Sequence, residues 1–123
     1  MIDRPIASVL VEVDMYSGRE NPMWQLETAD AAQFQARVQA ATPGGAEHSD
    51  SAETLGYRGL RVVATSIDAI ERYVIGGGTA TIDSTSSADR QIFGDADRSL
   101  EKWLLRTGKQ QLGPALLAYL LAQ

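Results

Sequence analysis

VLVEVDMYSGRENPMWQLE, residues 9–27, holds the clearest strand in the chain and its least ordinary loop. Val9, Val11, Val13 and Met15 fall on one side at period two, and Leu10, Glu12, Asp14 and Tyr16 on the other, which is the pattern of a half-buried strand. Ser17 to Pro22 breaks that alternation with turn formers. Glycine accepts positive φ, asparagine bonds its own backbone, and proline fixes φ and lacks a donor. Met23 to Leu26 then returns beside the first strand, so the pattern predicts a hairpin.

Downstream, Thr28 stands as an N-cap with Asp30 in the first turn. Ala31, Phe34, Val38 and Ala41 recur at helical spacing, opposed by Asp30, Gln33 and Arg37, which predicts an amphipathic helix over 29–41. Pro43-Gly44-Gly45 ends it. The aperiodic polar stretch 42–54 reads as a mobile surface loop, and it holds the chain's one histidine, His48. Leu60 to Ala64 reads as a strand whose Leu60, Val62 and Ala64 share a face with Arg58, and Gly59 marks a bulge or a close backbone approach. Ile70 to Ile75 and Thr79 to Asp83 read as two more strands joined by Gly76-Gly77-Gly78 in a hairpin. The stretch 84–90, STSSADR, reads as a second polar loop.

Asp95 or Asp97 starts the next helix, with Leu100, Trp103, Leu104 and Thr107 inside and Arg98, Glu101 and Lys102 outside. Gly108 occupies the place of a left-handed C-cap. Gly113 as cap and Pro114 at the first position open a last helix, PALLAYLLAQ, which is apolar nearly all round. That helix is expected to be buried against the sheet and the Trp103 helix, with homodimerisation as the alternative. The order strand, strand, helix, three strands, helix, helix defines a single α+β domain over 1–123. Its antiparallel sheet of about five strands is covered on one face by about three helices. Glu12, Asp14, Arg61, Thr79 and Thr81 are expected on the outward positions.

Three segments, SGRENPMW at 17–24, LGYRG at 55–59 and LEKWLLRTG at 100–108, make up about a fifth of the chain. Together they resemble small uncharacterised bacterial proteins with an SGRxNPxW-type motif. The resemblance implies no activity, and no site residue follows from it.

Composition narrows the function classes. A net charge of −5, from 16 acidic against 11 basic side chains, argues against nucleic acid as main partner, because phosphate neutralisation supplies most non-specific affinity. Nine of the basic residues are arginine, whose planar fork suits carboxylates, so a local anion site stays open. The absence of cysteine removes disulfides, thiol nucleophiles and cysteine-ligated metals. No signal peptide and no apolar run of membrane-spanning length is seen, which makes the cytoplasm the expected compartment. His48 alone makes a poor metal site, and no cofactor is expected. Gly76-Gly77-Gly78 lacks the spacing and the lysine of a phosphate loop, and no serine sits in a Gly-x-Ser-x-Gly elbow.

The candidate surface is Ser17 to Pro22 with its flanking aromatics. Tyr16, Arg19, Glu20, Asn21 and Trp24 combine planar hydrogen-bonding groups with aromatic contact area, as binding hot spots do, and Tyr57 and Arg58 are candidates for the same surface. The competing reading is a rigid turn with Trp24 in the core. The function expected is a non-catalytic binding or accessory protein that meets a peptide or protein through a sheet edge and the 17–24 loop. It would present a peptide to a modifying enzyme or, being acidic, cover a basic partner. The alternatives are a small enzyme or small-anion-binding protein using Arg19, Glu20 and Asn21, and a structural homodimer through the last helix.

Overall fold

The order of strands across the sheet is β2-β1-β3-β4-β5-β6, every neighbouring pair antiparallel. The computed structural model describes residues 6–15, 20–41, 43–44, 57–67, 69–84 and 87–123. Strands β1 (Ser8–Val13) and β2 (Met23–Gln25) form the expected hairpin, and helix α1 (Thr28–Gln39) follows. Strands β3 (Leu60–Thr65), β4 (Ile70–Gly76), β5 (Thr79–Ser84) and β6 (Ser87–Gly94) run as a meander. Helices α2 (Ser99–Thr107), α3 (Lys109–Leu112) and α4 (Pro114–Leu121) close the chain. The α+β class holds, with six strands and four α-helices among the described residues.

Register explains the core. Trp24, Val11, Val62, Tyr73 and Ile82 form one row across the sheet, all buried on the face the helices cover. Phe34 of α1 meets Tyr73 edge to face, ring centroids 5.0 Å apart, in an arrangement aromatic pairs favour. Met23, Glu12, Arg61, Val74, Thr81 and Ile92 form a row on the opposite face. Gly77 at φ 61° and Gly78 at φ 87° form the two-residue turn between β4 and β5, where successive positive φ values match the twist of the strands.

Several expectations need correction. Of the stretch 84–90, Ser84 ends β5 and 87–90 open β6, because ladder pairing is a backbone property that polar sequence does not prevent; 85–86 lie outside the described residues. In the 42–54 stretch, Pro43 bridges Phe93 and the Gly44 N–H donates to the Ile92 carbonyl at 2.9 Å; Thr42 and 45–54, with His48, lie outside the described residues. Helix α1 begins one residue early, after Glu27, with no side-chain cap at all. Asp14 and Thr81 are buried although they sit on the outward register. Thr81 is flanked in its row by Val74 and Ile92.

Gly108 is not left-handed, with φ −100° and ψ 21°; glycine is required there because a Cβ would run into the Trp24 ring. Helix α4 packs on α2 and α3, and its one fully buried side chain is Leu120; Leu116, Leu117 and Leu121 are half-buried and Tyr119 is 52% exposed. Among the described residues, no helix is long and apolar enough to cross a membrane.

Candidate functional site

Gly59 organises the loop end of the sheet. The Asp14 N–H donates to the Gly59 carbonyl at 2.9 Å while the Asp14 carbonyl accepts from the Arg58 N–H at 2.8 Å, so two residues oppose one in a β-bulge. Gly59 takes φ 119°, and a Cβ there would lie 2.6 Å from the Ile75 carbonyl oxygen. The extra residue resets the alternation. Arg58 therefore does not share the inner face with Leu60 and Val62: its guanidinium meets the Asp14 carboxylate at 3.0 Å, and Arg61 meets the other oxygen of the same carboxylate at 3.2 Å.

Asn21 ties the returning chain to that end of the sheet. Its side-chain amide donates to Glu12 at 2.8 Å and its carbonyl accepts from the Met15 N–H at 3.1 Å. The Val13 N–H donates to the Pro22 carbonyl at 2.9 Å. These contacts fix the base of the loop as scaffold. Glu20 is exposed, and Tyr16 and Arg19 lie outside the described residues.

Tyr57 goes to the helix side. Its hydroxyl donates to Glu101, which is 1% exposed and not on the wet face of α2 as the helical pattern implied. Arg98 closes on the same carboxylate through Nε at 3.1 Å and Nη2 at 2.5 Å, and reaches the carbonyls of Leu120 and Gln123 at the end of α4. Asp97 and Arg98 both have positive φ, 57° and 56°. That doubly left-handed turn lets the Asp95 carboxylate, from before the 3-10 turn Ala96–Arg98, accept from the Leu100 and Glu101 N–H groups at 2.8 and 3.1 Å. Hydrogen bonding to Glu101 holds Arg98 above its ordinary pKa.

Burial first, then the neighbouring Glu101, pushes the Tyr57 hydroxyl well above the ordinary value of 10.0, and burial with the Glu71 hydrogen bond does the same for Tyr73. Both hydroxyls stay neutral in the fold at a pH where an unfolded tyrosine ionises, so the unfolded chain gives up protons first. Their contribution is complete below about pH 10 and is lost progressively as pH rises above that value toward the raised pKa of the folded hydroxyls. In alkaline titrations followed by urea unfolding, the wild type is expected to lose stability above about pH 10 more steeply than a Tyr57→Phe, Tyr73→Phe double variant. Equal slopes would rule out this assignment.

Trp24 is a core residue, 5% exposed, whose indole N–H donates to the Thr107 hydroxyl at 2.9 Å; that hydroxyl donates in turn to the Leu104 carbonyl at 2.5 Å. Beside it a cleft of about 410 Å³ runs along β2, lined by Gln25 at the end of the strand and Leu26 just after it, Glu27 and Asp30 at the start of α1, and Trp103, Arg106 and Lys109 on α2 and α3. Arg37 lies over the Trp103 ring, 4.7 Å from its centroid, and fixes that wall. A second hollow of about 430 Å³ lies beside Val38, Ile82 and Phe93, and among the described residues no charged side chain lines it.

The ladder decides which groups of β2 are free. Val13 with Pro22, and Val9 with Leu26, are hydrogen-bonded across the hairpin, and Val11 stands opposite Trp24 between them. Antiparallel alternation then turns the N–H and C=O groups of Met23 and Gln25 away from β1, toward the outer edge of the sheet. Among the described residues no backbone group pairs with them.

The structure thus splits the expected set. Asn21 and Arg58 meet Glu12 and Asp14 at the loop end, Trp24 is interior, and Tyr57 belongs to the Glu101 clasp. Sequence reasoning missed Trp103, Arg106 and Lys109 as neighbours of β2, because no local pattern reports which strand a helix end will face. The Arg98–Glu101 pair was visible in principle as a three-residue helical spacing. No group of three or more acidic or histidine side chains able to hold a metal lies among the described residues. No family model, curated protein or solved structure matches the chain.

Proposed function

We propose that the protein is a non-catalytic cytoplasmic binding protein that takes an extended peptide segment of a partner protein as an added strand on β2, next to the described end of the preceding loop, residues 20–22. The observation that carries this is the outward pair Met23 and Gln25, whose backbone donors and acceptors line the sheet edge, with Gln25 bordering a cleft of small-ligand size. Strand addition uses such groups for affinity and side-chain pockets for selectivity. Exposed Met23 adds apolar contact on the opposite face.

Gln25→Pro tests the reading cleanly. The Gln25 N–H faces outward, so proline removes a donor from the edge without touching the ladder to β1, and tryptophan before it is already extended. In selection from a random peptide library, the wild type and Gln25→Ala are expected to enrich the same binders. Gln25→Pro, with circular dichroism and melting unchanged, is expected to bind them at least about tenfold more weakly. Equal binding by Gln25→Pro, or no enrichment by the wild type, would sink the proposal.

A further inference from the structure

Resting on that reading, we infer that the segment added to β2 carries one cationic and one anionic side chain two residues apart, received between the acidic and basic walls of the cleft. Glu27 and Asp30 form one wall at the start of α1, and Arg106 and Lys109 the other at the end of α2 and in α3. Among the described residues none of the four side chains makes a hydrogen bond or an ion pair, and no pair joins the walls across the gap. Two tryptophans form the base, each held in place: Trp24 by Thr107 and Gly108, Trp103 by Arg37. The base of the cleft is therefore preformed, which lowers the ordering cost of a ligand.

A strand paired with β2 directs alternate side chains to the Trp24 side, spaced by about 6.8 Å. A peptide with like charges at those two places gains at one wall and is repelled at the other, whereas one of each sign gains at both. Glu27 and Asp30 follow directly on β2, so the cation sits toward the α1 end and the anion beside Arg106 and Lys109. The order of the two charges in the peptide then reports the direction in which it runs.

The test uses blocked hexapeptides, acetyl-Thr-Lys-Val-Glu-Val-Thr-amide and its Lys–Glu reversal, with Lys/Lys, Glu/Glu and Gln/Gln versions, titrated calorimetrically. One mixed-charge peptide is expected to bind the wild type about tenfold more tightly than either like-charge version. An Arg106→Glu, Lys109→Glu double variant is expected to shift the preference to Lys/Lys, and Gln25→Pro to lose every peptide. Equal binding of all versions by the wild type, with loss in Gln25→Pro, would overturn the charge inference and leave strand addition standing. A charge preference that survives in Gln25→Pro would overturn strand addition, and with it the two-residue spacing. Failure of every peptide to bind would overturn both.

Discussion

Trp24→Ala is expected to lower the unfolding free energy by about 3–5 kcal/mol, read by urea or thermal denaturation, since a large buried aromatic is lost and a cavity remains. The indole also bridges β2 to α2 through the Thr107 hydroxyl, so the edge strand loses its attachment to the helical layer. Gly108→Ala approaches the same contact from the other side. Its new methyl group meets the indole carbons, and because the ring is buried and hydrogen-bonded it has little freedom to give way. A cost of about 1–3 kcal/mol is expected from that overpacking, and it should shrink in the double variant Gly108→Ala, Trp24→Ala. Additive costs would show that the two residues are not in contact. A corollary is that loss of binding in a Trp24 variant reports folding, so Gln25 and Arg106 are the positions for probing recognition.

Glu101→Ala is expected to cost about 3 kcal/mol. Removing one partner of a buried ion pair strands the other, and here Arg98 and the Tyr57 hydroxyl lose their acceptor together. The value sits at the lower end of the usual range because the Arg98 side chain is 17% exposed and keeps the carbonyls of Leu120 and Gln123. Glu101→Leu combined with Arg98→Met is expected to recover most of the loss, as replacing a whole buried pair often does. Chemical denaturation of the three proteins decides it: a Glu101→Ala cost under about 0.5 kcal/mol would mean that the clasp adds nothing.

The elements written by local rules were legible in the sequence. Alternation placed Val9, Val11 and Val13 inside, glycines placed the β4–β5 hairpin, and helical spacing placed Ala31, Phe34 and Val38 against the sheet. What escaped depended on partners far along the chain. Asp14 is buried where Arg58, from the bulge before β3, and Arg61 of β3 arrive from more than forty residues away, and Glu101 is buried where Tyr57 and Arg98 close on it. The bulge at Gly59 was signalled by the glycine, but its effect, sending Tyr57 and Arg58 to opposite sides, followed only from the hydrogen bonds. β6 was missed because apolar alternation reports burial, and an edge strand is paired without being fully buried. Sequence makes the loop side chains conspicuous, and the structure engages Asn21, Trp24, Tyr57 and Arg58 in contacts within the fold; the outward backbone groups of β2 carry no side-chain signal and follow only from the ladder.

With only three residues, β2 presents just two that face outward, so an incoming strand finds at most two donors and two acceptors. At about 1 kcal/mol net for each hydrogen bond, backbone pairing alone amounts to about 4 kcal/mol, a dissociation constant near 1 mM before any ordering cost. Such a short edge gives a second copy of the sheet too little to hold, which keeps the chain from extending edge to edge into fibres. It equally prevents a peptide from staying on the strength of its backbone. On the proposed strand addition, residence has to come from what the cleft adds, and contacts of that size exchange quickly, which suits a passing encounter rather than a permanent complex.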